Sequence, residues 1–218
     1  RSTNNTVYPD KNFPRHFWEE ANTLQIKHFP WQDSGHRPET TVRLLYTTNA
    51  LHIRFEVKDR FVRAVARQFQ DNVCTDSCVE FFVAPIPDSL AYFNFEVNCG
   101  GTMLLPRCPS IEERANGRET ENVIDADGLT IEMEHSLPKI IDPELAEPTN
   151  WTVQYRVPFV LFEKYFAIDA PKHGDLWSGN FYKCGDKTSH PHWGSWAPVK
   201  TEKPNFHTPQ FFRPIIFG

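Results

Sequence analysis

The sequence predicts an all-β protein, an antiparallel β-sandwich with long loops and one short helix. Three observations carry this. Apolar and polar residues alternate with a period of two in segment after segment, turn-forming Asn, Asp, Gly and Pro separate several of those segments, and 18 prolines against 10 glycines agree with strands joined by stiff turns. With 218 residues, 39% hydrophobic and 14% aromatic, the chain can bury a substantial core. No internal repeat or linker divides it, so residues 1–218 read as one domain, with 1–16 as an N-terminal extension.

Each element follows from its own pattern. "VRLLYTT" (42–48) reads as the first strand, and "LHIRFEVKD" (51–59) as the second, with Leu51, Ile53, Phe55 and Val57 on one face and His52, Arg54, Glu56 and Lys58 on the other. "CVEFFVA" (78–84) and "YFNFEVN" (92–98), joined by "PIPDSL", form a hairpin, and "LTIEMEH" (129–135), "WTVQYRV" (151–157) and "NFYKCG" (180–185) are further strands. Each has an apolar side that must be covered, hence two packed sheets. "PFVLFEKYF" (158–166) is the exception. Proline suits a first helical position, and Phe159, Phe162, Tyr165 and Phe166 fall at helical spacing, so this is a short helix at a sandwich edge. The polar stretches Pro106 to Asp127 and Pro138 to Asn150 show little period and read as long loops.

Composition removes some partners. No run approaches the roughly 18 apolar residues of a membrane span, and a net charge of −5 with interspersed signs lacks the basic patch of a nucleic-acid binder. The chain begins at Arg1 without a charged-then-apolar leader, so localisation must be read from elsewhere. Five cysteines, Cys74, Cys78, Cys99, Cys108 and Cys184, cannot all pair within one chain. They read equally as buried thiols or as one or two disulfides, and no second short-spaced pair makes Cys74 and Cys78 half of a zinc finger.

The hairpin poses the chemical question. Alternation places Val79, Phe81, Val83, Phe93, Phe95 and Val97 on the core face, leaving Cys78, Glu80, Phe82, Asn94, Glu96 and Asn98 on the other. If Ala84 pairs with Tyr92, Glu80 falls directly opposite Glu96. Like charges so placed repel and need a third party: an arginine or lysine, a cation, or a ligand rich in hydroxyl donors. Three readings compete. The face is solvated and paired with cations such as Arg156; or the carboxylates are the acid and nucleophile of a retaining glycosidase; or this is a binding face, with Phe82, Tyr92 or nearby tryptophans offering flat apolar surface to a sugar ring. The loop "HPHWGSWAP" supplies Trp193 and Trp196, indoles that pack inward or bind something. His190 and His192 across Pro191 are a weak metal signal and read as loop histidines.

Taken in order, "CTDSCVEFFVAP", "YFNFEVNCGGTML", "WTVQYRVPF", "NFYKCGD", "WGSWAPV" and "NFHTPQFFRPIIF" resemble the family 9 carbohydrate-binding modules, specifically the stand-alone family 9-like proteins, over about Trp18 to Phe217. The resemblance implies an immunoglobulin-like or jelly-roll β-sandwich that binds the ends of poly- or oligosaccharides without cleaving them, structural calcium, and work outside the cytoplasm beside polysaccharide-degrading enzymes, in the extracellular space or periplasm. It assigns carbohydrate contacts to Glu80, to Gln154 and Arg156 on one strand, and to Asn180, with Trp193 or Trp196 as a clamp; Glu96 and Asn98 are candidate carbohydrate contacts because they share the Glu80 face, and Asp71 and Asp76 are the candidate calcium ligands. Where such modules carry the other clamp tryptophan, this chain has Val73, Cys74 and Thr75, so the site is one-sided, uses Trp31 or Tyr92, or has lost sugar binding. A second class shares the sandwich, haem-binding cytochrome domains with Met and His ligands, for which Met103 and Met133 are the available methionines.

Overall fold

The structure is a computed structural model and describes residues 15–31, 34–128 and 130–218. The extension expected at 1–16 lies outside these, apart from Arg15 and His16 at the start of the first helix. In chain order, α1 (Arg15–Glu20) leads into β1 (Leu24–Ile26), β2 (Glu39–Tyr46), β3 (Ala50–Asp59) and β4 (Val62–Ala64). A 3-10 turn, Val73–Thr75, precedes β5 (Cys78–Ala84), β6 (Tyr92–Asn98), β7 (Met103–Leu104) and β8 (Pro106–Cys108), and a second, Pro209–Phe211, comes late in the chain. Then come α2 (Ile111–Ala115), β9 (Glu121–Asn122), α3 (Asp125–Gly128), β10 (Glu132–His135), β11 (Ile141–Leu145), β12 (Thr149–Pro158) and α4 (Phe159–Phe166). β13 (Leu176–Cys184), β14 (Trp193–Ser195) and β15 (Arg213–Ile216) close the fold.

Two antiparallel sheets pack face to face. The smaller has the order β1-β2-β3-β12-β10; the larger runs β14-β13-β5-β6-β8-β9, with β15 on β13 and β7 on β6. The inward faces meet as the alternation requires. Val79, Phe81, Val83, Phe93, Phe95 and Val97 of the larger sheet are wholly buried against Ile53, Phe55, Val57, Trp151, Val153 and Val157 of the smaller. Phe81 stacks on Phe181 at 4.6 Å between ring centroids, one of the pairs that add about 0.5–1.5 kcal/mol beyond area burial.

The outward face of the larger sheet departs from expectation, because it too is buried. A third layer, built from residues around Ala66–Cys74 and Val199–Phe212 together with Trp31, covers Cys78, Phe82, Ala84, Tyr92, Tyr182 and Cys184. Neither the alternation nor the composition distinguishes a strand with one wet face from a strand covered twice.

Three smaller corrections follow. The expected helix is α4, but Pro158 caps it while still paired with Ala50, so the helix proper begins at Phe159. Three further helices, α1 to α3, are each six residues or shorter. Both expected loops hold short structure: β8, α2, β9 and α3 in the first, and β11, paired with β4, in the second. Ladders this short carry too few side chains to show a period.

A buried charged network joins the sheets at the end carrying the site. Lys183 lies on the core face next after Phe181 and is fully buried. Its ammonium donates to Asp59 Oδ2 (3.2 Å), His192 Nε2 (2.8 Å) and Cys184 O (3.0 Å), using all three protons. His192 Nδ1 sits 2.9 Å from the His190 carbonyl, which can only accept, so Nδ1 carries the proton and Nε2 is bare toward Lys183. Burial and the Lys183 charge lower His192 to about 3, which keeps it neutral. Burial works against Asp59, but Lys183 and His36, whose Nε2 is 2.8 Å from Oδ1, hold its carboxyl well below the usual range. Both ring nitrogens of His192 are thus engaged within the protein, and the His190 ring stacks on Phe61 at 3.6 Å between centroids.

Candidate functional site

The outward face of the larger sheet can be read as rows across its strands, since residues directly paired in an antiparallel sheet share a face. One row runs Asn98, Cys78, Cys184, Trp193; the next runs Glu96, Glu80, Tyr182, Ser195; the third holds Asn94, Phe82 and Asn180. The expected register is therefore found, with Glu80 opposite Glu96.

The compensation differs from expectation. Among the described residues, no arginine or lysine pairs with either carboxylate; the partners are neutral donors. The Cys184 thiol donates to Glu80 Oε1 at 3.0 Å, and Asn94 Nδ2 donates to Glu96 Oε1 at 2.6 Å. Burial, then the Glu96 charge, pushes Glu80 well above the usual carboxylate range, while burial raises Glu96 to about 7. The pair therefore retains a proton at neutral pH. The same burial lifts the Cys78 thiol to about 12, and the Cys78 contact and burial raise Cys184 well above the ordinary range. All five cysteines are free thiols.

The β13–β14 loop borders this face. Asp186 N and Lys187 N donate to the carbonyls of Cys74 and Thr75, which pins the β13–β14 loop against the 3-10 turn. At that border Trp193 is half-buried, and its indole N–H donates to Oδ1 of the exposed Asp186 at 2.7 Å. The indole is thereby held in one orientation with part of its surface free. Glu80 and Glu96, 2% and 6% exposed, lie in the next row of the same face, under the third layer.

The remaining candidates divide by location. Asn98 and Asn180 lie on this face but are spent on hydrogen bonds within the protein. Asn98 accepts from Gly100 N and Thr102 N and donates to Asp76; Asn180 accepts from Ala197 N and donates to Ala197 O. The Asn98 bonds close a turn in which Gly101 has φ 78°, a conformation that suits glycine. Gln154 and Arg156 are on β12 in the other sheet, on its outward face, where Gln154 bonds Arg54 and Glu134. They do not join Glu80, because the whole sandwich lies between. Trp196 alternates away from Trp193, packs against the core and meets Phe181 edge-on at 5.6 Å. Trp31 and Tyr92 are buried, Trp31 tilted against Phe206 and donating to Thr201 O, Tyr92 with its hydroxyl on His207. Neither faces Trp193 as a second free wall.

Asp71 and Asp76 do not fit calcium. Asp76 accepts from Val65 N, Ala66 N, Asn98 Nδ2 and Arg63 Nη1, and Asp71 from Arg67 N and Gln68 N. Calcium requires six to eight oxygens turned toward one point, whereas these carboxylates are turned toward N–H groups. Met103 and Met133 both pack with the inter-sheet core. Sequence reasoning missed Asp186 and the inward Lys183; the signal for both was strand parity carried through "NFYKCGD".

Comparisons with known proteins bear on the fold and the family. A Bacteroides uniformis protein solved as a candidate carbohydrate-binding protein is 30% identical and superposes with a TM-score of 0.81, covering 92% of this chain and 88% of that one. A family 9 carbohydrate-binding module from Caldicellulosiruptor kristjanssonii, solved in complex with glucose, shares the fold at 13% identity and a TM-score of 0.62, covering 97% of this chain and 91% of that one. Among curated proteins, an Arthroderma benhamiae protein named "Extracellular protein" is 28% identical over 217 residues, 89% of this chain and 90% of that one. The model of carbohydrate-binding family 9 matches residues 16–217, nearly the whole sequence, and the chain belongs to that family.

Proposed function

We propose that the protein binds carbohydrate without cleaving it, at the Glu80 face of the larger sheet, in a one-sided site. The observation that carries this is Trp193, a half-buried indole whose N–H donates to the exposed Asp186 carboxylate at the border of that covered face. An indole offers its face to the C–H side of a sugar ring, and carboxylates accept from hydroxyls. Catalysis by Glu80 and Glu96 is disfavoured on physical grounds. A retaining glycosidase must bring the sugar's anomeric carbon to one carboxylate and the leaving oxygen to the other, and here both are buried beneath the third layer, 2% and 6% exposed. The "Extracellular protein" relative supports action outside the cytoplasm, and family membership supports a place beside polysaccharide-degrading enzymes.

The test is titration calorimetry with soluble gluco-oligosaccharides and other plant and microbial oligosaccharides on the parent, Trp193→Ala and the core-side control Trp196→Ala. Stacking on an indole contributes roughly 1–3 kcal/mol, so Trp193→Ala should weaken binding about ten- to a hundredfold at an unchanged melting temperature. Equal binding by a well-folded Trp193→Ala variant would place the site elsewhere.

A further inference from the structure

Beneath the indole lies a group that sugar binding does not require. Cys78 and Cys184 are register partners on neighbouring strands, and Glu80 is the next residue on the same face of β5. One ligand atom from each, the two Sγ atoms and a Glu80 oxygen, all lie within 4.8 Å of one another, and all three residues are buried. We propose that Cys78, Cys184 and Glu80 form a site for a borderline-soft divalent cation of the zinc class, held by two thiolates and one carboxylate.

The geometry suits the ion. With bonds of about 2.3 Å to sulfur and about 2.0–2.2 Å to oxygen, ligand atoms around tetrahedral zinc stand roughly 3.3–3.8 Å apart. Cys184 Sγ and Glu80 Oε1 are already 3.0 Å apart, and Cys78 Sγ lies within 4.8 Å of both ligand atoms. The ligands stand on two paired strands instead of a loop, so their backbone is positioned before the ion arrives. Three protein ligands leave a fourth position for water on the side of the half-buried Cys74, whose carbonyl is 3.7 Å from Cys184 Sγ. Two sulfurs in the set select zinc-like ions over calcium and magnesium, which take oxygen.

Charge points the same way. Glu80, Glu96 and Asp186 act on this cluster together, opposed by Lys183 from the core side of β13, and among the described residues no lysine or arginine makes an ion pair with either glutamate. Without the ion, the groups stay neutral by keeping protons. On binding, the two thiol protons and the Glu80 proton leave to solvent, three ligand bonds form, and the dication takes over the compensation. The proposal goes beyond the carbohydrate reading and shares only Glu80 with it.

The experiment uses the full chain, reduced and stripped with chelator, titrated with Co2+ as the spectroscopic probe and with Zn2+ in competition. The parent should take up one ion with thiolate-to-cobalt charge-transfer absorption, release protons and melt at a higher temperature. Cys184→Ser and Glu80→Gln should each weaken uptake by at least about tenfold, whereas Cys108→Ser, which alters a thiol beside Tyr92 outside the cluster, should bind like the parent. If Cys184→Ser does not fold, Glu80→Gln carries the same comparison. The proposal is overturned if the parent shows no charge-transfer band, if uptake survives Cys184→Ser unchanged, or if mass analysis of the protein as isolated shows Cys78 and Cys184 joined as a disulfide. Oligosaccharide binding plays no part in these readouts.

Discussion

Replacing Glu96 by glutamine should make the protein more stable at pH 8 and change it little at pH 4. Glutamine keeps the shape and the carbonyl that accepts from Asn94, and removes the ability to ionise. The sign follows from linkage. Glu96 titrates near 4.5 when unfolded and at about 7 in the fold, so between those values the native state holds a proton that the unfolded state has lost. Stability from this group is fully present below pH 4.5 and is lost as pH rises through 7. At about 1.4 kcal/mol for each tenfold change in proton affinity, the rise corresponds to about 3 kcal/mol by pH 8. Relief of Glu80, raised partly by the Glu96 charge, adds in the same direction. The assay is urea unfolding of parent and variant across pH 4 to 8, in chelator, so that no bound ion compensates the pair. His52 and His192, both lowered to about 3 by burial first, give the opposite slope between pH 3 and 6.5, but they are common to both proteins and cancel in the difference. A difference that stays flat from pH 4 to 8 would refute the claim that the pair is protonated because it is buried.

Two further predictions concern structure around the site. Lys183→Met leaves Asp59 buried without its cation and should cost about 3–5 kcal/mol, a fall of roughly 6–20 °C in melting temperature; a loss under about 1 kcal/mol in urea unfolding would mean that the network does not hold the sheets together. Asn98→Ala removes the acceptor for Gly100 N and Thr102 N and the donor to Asp76, and should cost about 1–3 kcal/mol with the native circular dichroism kept. An unchanged urea midpoint would show that water replaces those bonds.

The β-sandwich, the hairpin and the opposition of Glu80 to Glu96 were legible because side chains alternate along β5 and β6 without a bulge, so one correct register settles every residue on both faces of the hairpin. The same parity, followed two residues past Phe181, puts Lys183 inside, although composition alone argues against an inward lysine. α2 also carried a readable mark. Ser110 and Glu113 form a capping box, a local signal inside a segment whose lack of period suggested only a loop.

What the sequence determined by itself is therefore local and periodic: which residues share a face, which pairs meet across a hairpin, and the ordered motifs that identify the family. Tertiary structure alone decided that the Glu80 face is covered by a third layer, that Gln154 and Arg156 stand on the opposite side of the sandwich, and that Cys184 from a distant strand meets Glu80. The reason is physical. Alternation specifies a side chain's face relative to its own strand, but which sheet a strand joins and which loop folds over it depend on long-range burial, summed over residues far apart in sequence, and no short window contains that sum.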